Sequence, residues 1–583
     1  MEENINAAQS IILKWDENTS SYAKLTPLFH DDRAEARQFL RGVAELQTAM
    51  LYFVSNEHGG VSVYRSQALA SAQKLMQTAM RRLEREFYQI LSSNRDQLDP
   101  ESISTHSSHS SISMTSDGGG DDADEEIRAA GDFISEVEHT SALVMADLRD
   151  IADVMISVGY GKECVQIYRV IRKSIVDESL YRLGFENHAP NQIQKLEWEV
   201  LDLKIKTWVS AAKVAIKTLF YGERILCDHV FGGSESIRES CFADVTKEAA
   251  LQFLGFSESV AKTKRSPEKL FRILDLYNTI SDLLPDIATI FSFESTAAVR
   301  SQAITSLQKL SEIARSTLTD FEAVIQKDAS KTPPSGAGIH PLTRYAMIYI
   351  VSLADYDAAL TEIFSEGTNK AQSSLTDSSY EGIPSPSTTS FSSDEGIRSS
   401  VAAKLARLLL VLICKLDSKA GIYKDGAMSY LFLANNLWFI VRKVKESKLG
   451  FILGEEWEPR HAETARQYTR SYERVAWGRV AAAAVAEGIA SAGEAWERMR
   501  AFNVAFEEAM RSQSECVIAD EELREEVRTS IAGMIVPGYR ILYDKGRETL
   551  KDSAMNLVRY APDDVRILVA DLFENAAGSG RLS

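Results

Sequence analysis

Cysteine and proline are scarce in this chain, basic residues are outnumbered, and no long apolar run occurs. Five cysteines stand among 583 residues: Cys164, Cys227, Cys241, Cys414 and Cys516. They are scattered, odd in number and without a C-x-x-C pair, which argues against a zinc site or a disulfide framework. Reduced thiols in a cytosolic setting are the reading. The 13 prolines sit mostly at breaks such as Pro333-Pro334, Pro341, Pro384 and Pro386. The most apolar stretch, Leu405 to Leu416, is too short to span a bilayer and carries Arg407 and Lys415. The first residues, MEENINAAQS, have neither the positive nor the apolar region of a secretory signal. Lys and Arg number 65 against 83 Asp and Glu, a net charge of -18. That balance argues against nonspecific nucleic-acid binding, which needs a net basic footprint. A small local patch touching anionic lipid stays compatible with it.

What is present is helical periodicity. Val144, Leu148, Ile151, Met155 and Val158 form one apolar stripe, and Leu201, Ile205, Trp208, Ala212, Ala215 and Leu219 form another. Spacings of three and four place each set on one face of an amphipathic helix. Alternating strand patterns are missing, so the chain reads as all-α, in stacked bundles. Residues 1–91 form an N-terminal helical region in which Leu75, Met76, Met80, Leu83, Phe87 and Ile90 make a seam able to pair with another helix. Residues 92–126, serine-rich and acidic, and an insertion at 367–400 cannot bury enough apolar surface to offset ordering, so both are expected to be disordered. Helical bundles are expected over 127–330, over 331–470 around that insertion, and over 471–583.

Chemistry is tested motif by motif. Gly159-Tyr160-Gly161-Lys162 invites comparison with a phosphate loop, but Ile156 stands where the first glycine belongs and Glu163 where the hydroxyl belongs. Gly159 instead suits the left-handed residue that closes a helix. In the helix that follows, Ile167, Ile171 and Ile175 share one face, with Arg169, Arg172 and Lys173 elsewhere. Cys227-Asp228-His229 has metal-binding residue types, yet adjacent helical positions point apart. The run GGGDDADEE lacks the sixth-position glycine of a calcium loop. No catalytic constellation, metal site or cofactor motif is found. Arg442, Lys443, Lys445 and Lys448, with one acid, Glu446, make a basic cluster near a helix end. Its default reading is a solvated face, and contact with an anionic membrane or a partner is the alternative.

Longer blocks are more specific. MISVGYGKECVQIYRVIRKSIVDESLYRLG, IHPLTRYAM, IYKDGAMSYLFLANNLWFIVRKVKESKLGFILGEEW, SYERVAWG, RMRAFNVAFEEAMRSQSECVIADEELREEV and VRYAPDDVRILVADLFE occur in that order. They resemble segments of the plant exocyst seventy-kilodalton subunit family. AMRRLEREFYQIL extends the resemblance, more weakly, to the N-terminal region. The resemblance implies an elongated rod of consecutive helical bundles, as in tethering complexes. It implies a non-catalytic subunit that assembles with the other exocyst subunits and tethers secretory vesicles to the plasma membrane before fusion. It further implies a cytoplasmic protein recruited peripherally to plasma membrane or vesicles, with small GTPases and phosphoinositides as further partners. A trafficking adaptor acting outside the complex, in autophagy-related or immune traffic, is the alternative.

The family's lipid-binding basic residues carry over in part. The C-terminal motif's second lysine corresponds to Arg559, before Tyr560, and its first to Asn556. A family lysine six residues before Phe502 is Trp496 here, while Arg498 and Arg500 remain. At about 1 kcal/mol per basic residue near an anionic surface, two such losses weaken membrane binding by roughly tenfold or more.

Overall fold

The computed structural model describes residues 2–16, 18–29, 33–55, 63–93, 142–365, 393–486, 491–550 and 559–573. Most of both serine-rich segments, Ser385-Pro386, the run GGGDDADEE and Asn556 lie outside the described residues. All regular structure among the described residues is helical. The chain divides into two compact units, Met1–Arg265 with Arg272–Ile313, and Ser266–Phe271 with Ala314–Ser583. No described helix is long and apolar enough to cross a membrane.

The first unit begins with α1 (Glu2–Lys14), α2 (Ser21–Leu25), α3 (Arg33–Ser55) and α4 (Val63–Ser93). The Ser20 hydroxyl caps α2 by accepting from the Ala23 N–H at 3.3 Å. In α4 the expected seam is buried at Leu75, Met76, Met80, Leu83 and Phe87, and half-buried at Ile90.

The helix over 142–157 buries Val144, Leu148, Ile151 and Met155. It ends where Gly159 takes φ +97° and the Tyr160 N–H donates to the Met155 carbonyl at 2.8 Å. The next helix, Gly161–Arg182, starts at the second glycine, so the glycine pair is a bend between helices. Its buried face differs from the isoleucine face expected. Cys164, Tyr168, Arg172, Ile175, Val176, Ser179 and Leu180 point inward, and Ile167 and Ile171 are only half-buried. The reason is charge matching. Arg172 is fully enclosed because Glu223, on a facing helix, accepts from its Nε at 3.1 Å and from Nη2 as well. Beside the pair, Tyr168 meets Phe231 edge-on at 5.0 Å.

The stripe from Leu201 to Leu219 is buried throughout. It runs along helix Trp198–Val214, passes through a π-helical turn at Ala215–Phe220, and leads into Tyr221–Val230, which carries Glu223. The Trp208 indole stacks on Phe253 at 5.1 Å and donates to the Phe253 carbonyl at 2.9 Å.

In the second unit, helix Gly426–Lys445 packs along Trp457–Ala483 and presents Asn435 and Asn436 to the segment before Pro341. Asn436 Oδ1 accepts from the His340 N–H at 2.9 Å and the Thr343 hydroxyl at 2.7 Å, and Nδ2 donates to the Phe432 carbonyl at 2.8 Å. Asn435 Nδ2 donates to the carbonyls of Ala337 and Val517 at 2.9 and 2.7 Å. Gly336, at φ +60°, accepts from the Val517 N–H at 2.8 Å. Two loops distant in sequence are thus clipped to one helix by hydrogen bonds that satisfy its buried amides.

Candidate interaction surfaces

Helix Ala492–Gln513 opens with a capping box, Ser491 Oγ accepting from the Glu494 N–H and the Glu494 carboxylate from the Ser491 N–H. It buries Ala495, Met499, Phe502 and Phe506. Phe502 stacks on Tyr539 at 3.9 Å, and the Tyr539 hydroxyl donates to the Tyr560 carbonyl at 2.8 Å. That contact fixes the backbone beside Arg559. The Arg559 side chain, 62% exposed, donates to Glu507 at 2.5 Å, which holds its pKa above arginine's ordinary value.

Helical phase sorts the other residues. Glu507 lies seven residues after Arg500, nearly two turns, so the two share a face about 10 Å apart. Trp496 lies about three turns from Glu507, on the same face. The Arg500 guanidinium sits 5.4 Å from the centre of the Trp496 ring. Arg498 is about two and a half turns from Glu507 and points the opposite way. The fold therefore gathers Trp496, Arg500 and Arg559 and leaves Arg498 apart.

The basic cluster is matched residue by residue. Arg442 pairs with Glu446 at 2.7 Å and with Asp520, and Lys443 pairs with Glu446 at 3.0 Å. Lys445 lies 3.9 Å from Glu458, and Lys448 lies 3.0 Å from Asp355. Hydrogen bonds from Arg442 and Lys443 hold the Glu446 carboxyl below the usual carboxylate range. These pairs are exposed and individually weak, but together they answer each of the four cations with an acid. Just beyond Lys448, the short helix Leu449–Leu453 leaves Phe451 88% exposed.

Sequence reading located the cations and one acid that answers them, Glu446, and missed the others. Glu507, Asp520 and Asp355 come from segments far along the chain, and nothing local marks them as partners. Cys227-Asp228-His229 disperses: Cys227 Sγ faces the Arg238 carbonyl at 3.3 Å, Asp228 accepts from Arg224 at 2.9 Å, and His229 Nδ1 contacts the Ile225 carbonyl at 3.1 Å. Among the described residues, no group of three or more His, Cys, Asp or Glu is placed to hold a metal ion.

Comparison with known proteins matches residues 206–571 to the C-terminal family of the Exo70 exocyst complex subunit, and residues 4–93 to the N-terminal family of exocyst complex component Exo70. Exocyst complex component EXO70A1 of Arabidopsis thaliana is 31% identical over 98% of this chain and 88% of its own length. EXO70C2 of the same plant is 34% identical over 75% of this chain and 61% of its own length. Among solved structures, Exo70 of S. cerevisiae superposes with a TM-score of 0.57 at 15% identity, covering 98% of both chains.

Proposed function

Because this chain belongs to the Exo70 family of exocyst subunits, of plant type, we propose that it acts without catalysis, assembling with the other exocyst subunits to tether secretory vesicles to the plasma membrane before fusion. The observation carrying this reading is the family match, which takes in both the N-terminal region and most of the rest of the chain. An all-helical chain suits the role, because long helices expose extended faces to partners. Affinity purification of the tagged full-length chain from plant cells tests it. Co-recovery of the other exocyst subunits is the expected result. Their consistent absence would replace it with the adaptor reading, which the altered basic residues at Trp496 and Asn556 favour.

We assign any phosphoinositide contact in the second unit to the face carrying Arg500 and Arg559, and it is weak. Arg559 already serves Glu507, so an incoming phosphate must displace a carboxylate. In flotation with phosphoinositide vesicles, Arg559→Glu is expected to lower binding more than tenfold, as two units of charge change at about 1 kcal/mol each. Glu507→Gln releases Arg559 and is expected to raise binding roughly fivefold by the same scale. Unchanged flotation in both variants would remove Arg559 from the contact. The cluster from Arg442 to Lys448 fits a protein partner better, since its charges are matched and the exposed Phe451 offers an aromatic anchor beside it.

A further inference from the structure

In the second unit, helix Pro341–Leu353 packs beside helix Gly426–Lys445 and runs the same way. The Thr343 hydroxyl donates to Asn436, and Arg344 lies 5.7 Å from the centre of the Phe439 ring. Asp355, in the 3₁₀ turn after the first helix, pairs with Lys448 at 3.0 Å. Contacts that advance together along both segments mark parallel helices. At 100° per residue, Arg344, Ile348 and Val351 fall within about 60° of arc. Ile348 therefore stands between two positions, Arg344 and Asp355, that reach across to the second segment.

The outer side of this pair carries apolar groups into water. Ile348 is 69% exposed, and Phe451 stands one turn beyond Lys448 with nearly all of its surface open. Phe439 is half-buried beneath two cations, Arg344 and Lys443, the Lys443 Nζ lying 5.9 Å from its ring centre. Single exposed apolar side chains are ordinary on any surface; these follow one furrow. Charge distinguishes its two ends. Lys443 is answered by Glu446 and Lys448 by Asp355. Arg344 is exposed, and among the described residues no carboxylate pairs with it. The furrow thus has an unanswered cation at one end and an aromatic anchor at the other.

These features select the occupant. All regular structure among the described residues is helical, so they offer no sheet edge to an extended strand. A furrow between two parallel helices instead seats a third, its ridge entering the groove at an axial distance of about 8–10 Å. From Arg344 to Asp355 the furrow runs about 16 Å, three turns of helix. That length takes apolar side chains at i, i+3 or i+4, and i+7. A carboxylate on the incoming helix meets Arg344, whose fork grips it bidentately. An anionic bilayer fits less well. It is drawn by several unanswered basic residues acting together over a Debye length of about 8 Å, and this face supplies Arg344 alone.

We propose that the furrow between helices Pro341–Leu353 and Gly426–Lys445 docks an amphipathic helix of a partner protein, with aliphatic side chains on Ile348 and Phe451 and a carboxylate on Arg344. This docking rests on reading the Arg442–Lys448 side as a protein contact, but not on exocyst assembly. In the test, the photo-crosslinker p-benzoylphenylalanine replaces Ile348 in the full-length chain, which is irradiated in plant cell extract, and crosslinked peptides are mapped by mass spectrometry. The expected capture is a segment with apolar residues at three-and-four spacing and an Asp or Glu beside them. The same label at Ile567, exposed in the same unit, controls for capture by exposure alone. Arg344→Glu and Phe451→Ala should each lower the crosslink at least roughly fivefold, the scale of an interface anchor, while Arg344→Lys keeps part of it. A synthetic peptide of the captured segment should bind the parent chain in anisotropy, and roughly fivefold more weakly or worse with its acids changed to lysine. Unchanged circular dichroism verifies that the variants fold. No crosslink, a captured segment without that pattern, or variants that capture like the parent would overturn the proposal. So would Phe451-dependent retention on phosphatidylcholine vesicles doped with phosphatidylserine while no peptide is captured, which would make the face a membrane contact. Exocyst subunits co-purifying without a crosslink strike this surface and leave assembly standing; a crosslinked helix without exocyst subunits does the reverse.

Discussion

Arg172→Ala is expected to destabilise the first unit by about 3–5 kcal/mol, the cost of leaving one buried ion without its partner. The pair has no access to water: Arg172 and Glu223 are 0% and 1% exposed. Removal of the guanidinium strands a carboxylate among Tyr168, Cys227 and Phe231, where it must either bind a proton or draw water into the core. Arg172→Met with Glu223→Met removes both charges at similar volume and is expected to restore most of the loss. Urea unfolding of the full chain, with hydrogen exchange read over residues 161–230, separates the outcomes. A loss below about 1 kcal/mol for the single variant would mean that the charges balance little in the native state.

Gly336→Ala should cost about 2–5 kcal/mol in the second unit, combining roughly 1–2 for left-handed backbone with roughly 1–3 for overpacking. A methyl group at this position would collide with the Glu515 carbonyl and come within 2.5 Å of Val517 Cγ2, both in the clipped loop. The backbone cannot retreat, because Gly336 is bonded to Val517 and the adjoining Ala337 carbonyl to Asn435. Gly159→Ala is the internal comparison. It also has positive φ but nothing within 4 Å of the added carbon, so only the backbone cost of about 1–2 kcal/mol applies. Proteolysis rates and denaturant midpoints for the two variants check the difference, and equal effects would refute the packing contribution.

The helices were legible in the sequence because their signals are local. The three-and-four spacing of Leu201 through Leu219 names a buried face, and each of those residues is buried. Gly159 announced its own helix end. Charge was legible in amount but not in pairing. Arg172 was placed only off the isoleucine face, since its partner lies 51 residues on, and the face of Arg442 looked basic since Asp520 lies 78 residues on. Ion pairs between helices depend on which faces meet, and no local pattern encodes that. The apolar residues of AMRRLEREFYQIL were legible as a seam, but the burial of Arg82 beside them was not, because the Ala23 and Thr26 carbonyls that it bonds lie in and just after another helix.

The π-helical turn at Ala215–Phe220 bears on how this chain can change over evolutionary time. A turn closed by bonds to the fifth residue holds one residue more than an α turn, so the segments flanking it keep their facing while the chain runs one residue longer. Loss of a single residue there would let the helix revert to α geometry with Glu223 still aimed at Arg172. The same loss within Trp198–Val214 would swing the carboxylate about 100° away. Deletions should therefore be tolerated at the π turn and resisted along the helix that precedes it.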